Sequence, residues 1–245
     1  MKRSTGLVIV LLSLAVLAYD AAGGRLSVLR RLYTRDDLGA WLIVAAGNDD
    51  HESVRCLLQR GADVNARNES GDLPLHCASR DNFLLLLDRG ADLHEKDAEG
   101  RGLLHCAALC GWRDIAQLLI TKGADVNSRN KCGRTPLHDT SYTGPPGHTD
   151  VAALLVASGA EIDPRDDEGR TPLHEATDEG CKGVAQLLVR NGADINAQDK
   201  SGKTPLDLAR TTSSFSSLSR EGALIRFLRQ HGAKTRHELD REAAK

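Results

Sequence analysis

Apolar residues recur along this 245-residue chain with a period near 33 residues. Within a period, an apolar pair such as Leu118-Leu119 or Leu187-Leu188 is followed four residues later by a glycine. We interpret each pair as the inner stripe of a helix that stops at the glycine, since glycine accepts the left-handed φ of a helix end without steric cost. The pattern therefore predicts that Leu118 and Leu187 are buried in helices.

Two sequence signals keep phase with this apolar pattern. The first is Gly-Ala-Asp or a near copy, which begins at Gly61, Gly90, Gly123, Gly159, Gly192 and Gly232. The second is Leu-Pro-Leu-His or Thr-Pro-Leu-His, which begins at Leu73, Thr135 and Thr171. Degenerate copies of this motif begin at Gly102 and Thr204. A threonine can cap a helix, and proline is tolerated in the first turn. Each period is therefore predicted to be a helix, a loop, a second helix and a projecting hairpin.

Six such units can be placed, at residues 37–69, 70–98, 99–131, 132–167, 168–200 and 201–235. The second unit lacks four residues, which predicts shorter helices near residues 79–83. The fourth carries three extra residues, assigned to Gly144-Pro145-Pro146, and the sixth carries seven in a Ser-rich loop around residues 211–220. Insertions in repeat proteins fall in loops and can mark the working face, but neutral drift at an exposed loop is the favoured explanation for each.

Two signals locked in phase around 33 residues resemble the ankyrin repeat family, over roughly residues 37–235. The resemblance implies an all-α solenoid in which stacking covers the apolar face of each unit. It also implies a non-catalytic scaffold that binds another protein with its concave face, which consists of the hairpin tips and the exposed side of the first helices. Two alternatives remain: an accessory or inhibitory subunit that regulates an enzyme, and, less favoured, an uncharacterised enzyme.

The two ends of the repeat region carry their own signals. An apolar stripe in residues 26–33 predicts a capping helix within a segment 24–36 that covers the first unit. Leu224, Ile225, Phe227 and Leu228 are expected to form the final helix. Residues 236–245 are rich in charge and are interpreted as a tail that keeps this end of the protein soluble.

The N-terminus has the features of an export signal. Lys2 and Arg3 precede an apolar run from residue 7 to residue 18, and small residues follow it. This pattern predicts a signal peptide over residues 1–23, cleaved after Ala18 or Gly23, and hence a periplasmic or secreted protein. The run is shorter than the roughly 20 apolar residues of a membrane span. An uncleaved membrane anchor at residues 7–22 and a buried N-terminal helix are the alternatives.

Composition excludes some classes of partner. A net charge of −2 offers no basic surface for the phosphates of nucleic acid, and an aromatic content of 3% offers few stacking platforms for single strands. A charged fraction of 27% and an apolar fraction of 40% are typical of a folded protein. We expect a monomer whose partner is another protein, with membrane contact only through the N-terminal segment if that segment is uncleaved.

Candidate residues for chemistry have simpler interpretations. His76, His105, His138 and His174 occur once per unit, and the resemblance implies that their imidazoles bond neighbouring backbone or hydroxyl groups. Equivalent cysteines of adjacent units lie about 10 Å apart, too far to share a zinc ion. Cys132 and Cys181 are expected to be exposed thiols. No nucleophile elbow, phosphate loop or dinucleotide fingerprint occurs, so no enzyme, metal or cofactor is predicted.

The binding residues follow from the resemblance to ankyrin-like concave faces. They are Arg101, Arg129, Lys131, Arg134, Tyr142, Arg170, Asp178, Glu179 and Lys203. Arg101, Arg134, Arg170 and Lys203 place one cation in each unit, which predicts a partner with an acidic strip. Tyr142 is a candidate anchor because tyrosine is enriched at binding hot spots. Arg134 is expected to be exposed, so that its removal would change stability by only about 0.5 kcal/mol.

Overall fold

The computed structural model describes residues 35–141, 147–211 and 218–244, and this part of the chain contains helices but no strand. The helices are α1 (Arg35–Gly47), α2 (His51–Gln59), α3 (Pro74–Cys77), α4 (Arg80–Asp88), α5 (Leu103–Cys110), α6 (Arg113–Thr121), α7 (Pro136–Asp139), α8 (Gly147–Ala157), α9 (Pro172–Asp178), α10 (Lys182–Arg190), α11 (Pro205–Thr211), α12 (Leu218–Gln230) and α13 (Arg236–Ala243). The predicted all-α repeat architecture is confirmed.

The chain divides into two compact structural units, each larger than a single repeat, and the first ends at Asp92. From here on, unit means one of these two parts, and the 33-residue periods are called repeats. In its described part, α1 packs on α2 and α3, and α4 packs on α2 and α3. The side chains of Leu42, Val54, Phe83 and Leu86 are fully buried there. This arrangement is two stacked helical hairpins around one apolar core.

The four-residue deletion in the second repeat falls on its first helix alone. Helix α3 has four residues, whereas α4 has nine, as α6 and α10 do. The prediction that both helices shorten is therefore wrong for α4. The second helix keeps its length because Phe83 and Leu86 belong to the core of this unit.

The second unit begins at Leu93 and stacks four repeats. Its first helices form one layer, in which α5 packs on α7, α7 on α9, and α9 on α11. Its second helices form another layer, in which α6 packs on α8 and α8 on α10, while α12 packs on α11. Ile115, Leu155, Leu173, Leu188 and Leu206 fill the space between the layers with almost no exposure.

The glycine that ends each second helix adopts the predicted left-handed conformation. At Gly123 φ is +90°, and the other five Gly-Ala-Asp glycines lie between +85° and +91°. After α6, the N–H of Gly123 donates to the carbonyl of Ile120 and that of Ala124 to Leu119, so the last carbonyls of the helix are satisfied. A Cβ at Gly123 would meet no atom within 4 Å, so backbone φ and not space selects glycine here.

Each apolar pair places its second member in the core. Leu119 and Leu188 are 1% and 0% exposed, whereas Leu118 and Leu187 are only half-buried. The prediction that Leu118 and Leu187 are the buried residues is therefore wrong. Adjacent residues are turned by about 100° around a helix, so a pair cannot point to the same place.

The C-terminal segment is more ordered than the sequence suggested. Helix α12 begins at Leu218, so residues 218–220 are helical and not part of a Ser-rich loop, while residues 212–217 lie outside the described residues. The charged tail forms α13, so the helix containing Leu224 is not the last. Thr235 caps α13: its N–H and hydroxyl donate to Glu238, and the Glu238 N–H donates back to the Thr235 hydroxyl.

Several predicted features lie outside the described residues. They are the signal or anchor segment of residues 1–23, the capping stripe of residues 26–33, the candidate anchor Tyr142, and Gly144-Pro145-Pro146. Among the helices that the structure describes, none is both long and apolar enough to span a membrane.

Candidate protein-binding face

The hairpin tips of the second unit form a continuous row. The N–H of Lys131 donates to the carbonyl of Glu99 at 2.9 Å, that of Asp167 to Cys132 at 2.9 Å, and that of Lys200 to Glu168 at 2.9 Å. Each tip is therefore bonded to the tip of the next repeat. We use the name hairpin face for this row of tips together with the adjoining exposed side of α5, α7, α9 and α11.

Buried histidines join the first helices beneath the hairpin face. The Thr135 N–H donates to Nδ1 of His138 at 3.1 Å, so this imidazole carries its proton on Nε2, which donates to the carbonyl of Arg170 at 3.2 Å. His105 and His174 make the same pair of contacts in their repeats. Each ring therefore links its own helix start to the following hairpin, as the resemblance implied.

Burial keeps these imidazoles neutral. Desolvation lowers the pKa of His105 and His138 to about 4 and lowers that of His174 below its ordinary value. In the sixth repeat Asp207 takes the position of the histidine but has no proton to donate. There the hydroxyl of Thr204 donates to the next hairpin, at the carbonyl of Lys234, at 2.8 Å.

The side chain of Arg129 forms hydrogen bonds to two neighbouring hairpins. Its Nη1 donates to the carbonyl of Gly133 at 2.8 Å and to that of Arg165 in the next hairpin at 2.7 Å. Arg165 repeats the arrangement with the carbonyls of Gly169 and Gln198. The predicted binding residue Arg129 therefore also has a structural role.

Arg101 is paired within its own hairpin. Its Nε lies 2.6 Å from Oδ2 of Asp97 and its Nη2 lies 3.3 Å from Oε2 of Glu99. The Asp97 side chain is 1% exposed and accepts further hydrogen bonds from the N–H groups of Glu99 and Arg101. The positive charge of Arg101 is thus largely neutralised at the surface.

Arg134 and Arg170 belong to a five-residue ionic network that crosses from the fourth repeat to the fifth. Arg134 lies 3.3 Å from Asp139 and 3.2 Å from Glu175, and Arg170 lies 3.2 Å from Glu175 and 2.5 Å from Asp178. Asp139 and Glu175 have side chains that are 9% exposed, and Arg134 is 30% exposed. The expectation that Arg134 is an exposed side chain of little consequence is therefore wrong.

The environment of the two buried carboxylates disfavours their charge. Burial raises the pKa of Asp139 to about 6, although Arg134 lowers it, and burial likewise raises the pKa of Glu175. Sequence reasoning missed both residues as members of the face. The available signal was an acidic residue directly after the histidine of the repeat, at His138-Asp139 and at His174-Glu175.

Three predicted binding residues remain open to a partner. Lys131, Glu179 and Lys203 are exposed, and their side chains make no hydrogen bond or ion pair with the residues that the structure describes. Tyr142 lies outside those residues. Of the other five predicted residues, Arg134, Arg170 and Asp178 belong to the ionic network, and Arg101 and Arg129 are bonded within and between hairpins. This division was not readable from the sequence.

The cysteines and acidic residues give no sign of metal chemistry in the described ranges. Among residues 35–141, 147–211 and 218–244, no three His, Cys, Asp or Glu side chains are arranged to hold a metal ion. Cys132 is exposed as predicted, but Cys181 is half-buried, with its thiol donating to the carbonyl of Ser141, and Cys110 is exposed instead. All six cysteines of the chain are free thiols: Cys56, Cys77, Cys106, Cys110, Cys132 and Cys181.

Comparison with known families supports the repeat assignment. A family model that describes three successive ankyrin repeats matches four overlapping segments of the chain, at residues 17–97, 79–166, 104–199 and 147–237. Together these matches run from residue 17 to residue 237 and include all six predicted repeats. A comparison with curated proteins finds no match.

Proposed function

This chain belongs to the ankyrin repeat family, whose repeats mediate binding to other proteins, and we propose that it holds its partner on the hairpin face of the second unit. The observation that supports this location is the row of tips bonded from repeat to repeat between Glu99 and Lys200. A face pinned by backbone bonds loses little conformational freedom when a partner docks. Family membership supports the scaffold role, because ankyrin repeat proteins are generally non-catalytic.

The rigid part and the adjustable part of this face are different residues. Arg129, Arg165 and the buried histidines fix the hairpins, so their replacement would disturb the platform itself. Lys131, Glu179 and Lys203 stand on the platform without partners among the described residues. Such exposed charges set the rate and specificity of association, and they can vary without cost to the fold.

Charge reversal at Lys131 and Lys203 is expected to weaken partner binding without loss of fold. The full chain serves as bait in an extract of its source cells, and the captured partner is then titrated against the double variant Lys131→Glu, Lys203→Glu. We expect affinity to fall by about ten-fold, mostly through slower association, with a changed dependence on salt. Circular dichroism checks that both proteins are folded.

The matched control reverses charge on a second helix. Arg190 is exposed at the end of α10, away from the tips, and the variant Arg190→Glu should bind as the parent chain does. Loss of binding by this control with retention by the double variant would place the partner on the second helices and end the proposal. An enzyme recovered in stoichiometric amount would identify the chain as an accessory or inhibitory subunit.

We also propose that the protein is exported. Support comes from the basic start, the apolar run of residues 7–18 and the small residues after it. The family match begins at residue 17, so removal of residues 1–18 or 1–23 would leave nearly all of the repeat region in the mature protein.

Mass spectrometry of the native protein is expected to show a chain that begins near Tyr19 or Gly24. A full-length chain in the soluble cytoplasmic fraction would contradict export. A full-length chain in the membrane fraction would instead select the anchor at residues 7–22.

A further inference from the structure

An asparagine side chain joins the hairpin of the third repeat to the fourth repeat, and another joins the fifth to the sixth. Oδ1 of Asn127 accepts a hydrogen bond from the N–H of Glu161 at 2.9 Å, and its Nδ2 donates to the carbonyl of Gly159 at 3.3 Å. Asn196 makes the same two bonds to the sixth repeat, at 2.8 and 3.3 Å. Each side chain thus uses one acceptor and one donor, which is the pair that an amide group provides.

Asp163 occupies this position in the hairpin of the fourth repeat. The segments Asp-Val-Asn, Glu-Ile-Asp and Asp-Ile-Asn are equivalent and lie at residues 125–127, 161–163 and 194–196. Oδ2 of Asp163 accepts from the N–H of Asp194 in the fifth repeat at 2.9 Å, as the asparagine oxygens do in their repeats. The other oxygen, Oδ1, therefore takes the place of the asparagine Nδ2. In the fifth repeat the equivalent carbonyl for that atom is the one of Gly192.

The ionised form of Asp163 has no donor for this contact. Oδ1 is buried and forms no hydrogen bond with the residues that the structure describes. A carboxylate contains acceptors only, so rotation of the side chain exchanges one oxygen for the other and supplies no N–H or O–H. A buried acceptor without a donor destabilises the folded state. One proton on Oδ1 turns it into a donor to the carbonyl of Gly192.

We propose that Asp163 forms a proton-dependent joint between the fourth and fifth repeats, in which the neutral carboxyl donates a hydrogen bond from Oδ1 to the carbonyl of Gly192 and the ionised carboxylate does not. This property is additional to the binding function proposed above and does not depend on it. The backbone bond from the N–H of Lys200 to the carbonyl of Glu168 holds the same two hairpins together in both forms. Ionisation therefore loosens the joint without separating the repeats.

The groups around Asp163 shift its protonation toward the neutral form. Burial raises the pKa of Asp163, while the hydrogen bond from the N–H of Asp194 lowers it. The carboxylate of Asp194 also raises this pKa, and the guanidinium of Arg165 lowers it. Nη1 of Arg165 is bonded to the carbonyls of Gly169 and Gln198, so it serves the backbone of the hairpins. The net result is a pKa of Asp163 above the ordinary value of 3.8.

Carboxyl ¹³C spectra of the full, unaltered chain test the joint directly. We expect Asp163 to titrate with a midpoint above 3.8, and the carbonyl ¹³C signal of Gly192 to shift with the same midpoint because it accepts the hydrogen bond of that proton. A water molecule that donates to Oδ1 would instead stabilise the carboxylate. A midpoint at or below 3.8, or a Gly192 signal that does not follow the titration, would overturn the proposal.

The variant Asp163→Asn provides the amide found in the third and fifth repeats. Its Nδ2 can donate to Gly192 at every pH, so we expect the equilibrium constant for unfolding at pH 7 to be about ten-fold smaller than in the parent chain. The parent chain should recover this difference as pH falls through the folded pKa of Asp163 toward 3.8, because there the folded chain holds a proton that the unfolded chain does not. Urea denaturation at a series of pH values measures both effects. A variant no more stable than the parent at pH 7 would contradict the joint.

Two further variants separate the hydrogen bond from a general effect of charge. Glu161→Gln removes an exposed negative charge two residues from Asp163, and it should change the unfolding constant by no more than about two-fold. Asn127→Asp creates the arrangement of the fourth repeat in the third, so this chain should lose stability at pH 7 and regain it in acid. Equal gains from Glu161→Gln and Asp163→Asn, or a loss in Asn127→Asp that is independent of pH, would reject the proposal.

Discussion

Replacement of Leu188 by alanine is expected to lower the free energy of unfolding by about 2–5 kcal/mol, because it removes buried apolar surface and leaves a cavity. Leu188 has 0% exposure and lies in α10, between the two helical layers of the second unit. Neighbouring repeats depend on each other for their apolar cover, so the loss is transmitted to the stack. Urea denaturation followed by far-UV circular dichroism measures it.

The adjacent residue provides the control. Leu187 is half-buried, and Leu187→Ala removes the same atoms from a site that keeps part of its contact with water. We expect a clearly smaller loss than for Leu188→Ala. Equal losses from the two variants would mean that the assignment of Leu188 to the core side of α10 is wrong.

Replacement of His138 by alanine is expected to cost about 3 kcal/mol or more at neutral pH. The change leaves the N–H of buried Thr135 and the carbonyl of Arg170 without the partners that the ring supplies at 3.1 and 3.2 Å. It also empties the volume of a side chain with 0% exposure. The exposed His237 serves as the control, and His237→Ala should stay within about 0.5 kcal/mol.

The difference between the parent chain and His138→Ala should shrink in acid. Burial lowers the folded pKa of His138 from 6.5 to about 4, so between these values the unfolded chain binds a proton that the folded chain does not. The stability that His138 contributes is therefore complete above pH 6.5 and falls by about 1.4 kcal/mol per pH unit as pH approaches 4. A difference that stays constant over this range would contradict a neutral, buried ring.

The unfolding free energy of the parent chain must be compared with that of His138→Ala at each pH, because nearby carboxyl groups change stability with pH in the opposite direction to His138. Burial raises the folded pKa of Asp139 to about 6 and also raises that of Glu175, so each group favours the folded state as pH falls. Both titrate in the parent and in the His138 variant. Their contributions largely cancel when the two unfolding free energies are subtracted.

The repeat architecture was predictable because its signals are local. The φ of Gly123 and its equivalents depends on the residues of one helix end, and the caps at Thr135 and Thr171 involve partners three residues away. The helix at residues 236–243 could have been found in the same way. Thr235 and Glu238 form a capping box, the same spacing that the threonine and histidine use in the central repeats.

The positions of the residues on the candidate face were predictable from the sequence, but their ion pairing and burial were not. The period places Arg134 and Arg170 at the start of first helices, and nothing in their local sequence shows that they are paired. Arg134 meets Glu175 forty-one residues later in the chain, and only the stacking of α7 on α9 brings the two together. The sign of the surface charge follows from that stacking.

The sequence by itself determined the period, the helix ends and the family, since each rests on backbone conformation and capping within a few residues. Only the tertiary structure decided which leucine of each pair faces the core and which charges are neutralised. Both depend on side chains from neighbouring repeats that approach within a few ångströms after stacking. A pattern along one chain contains the spacing of those side chains but not their distances, and burial and ion pairing are properties of distance.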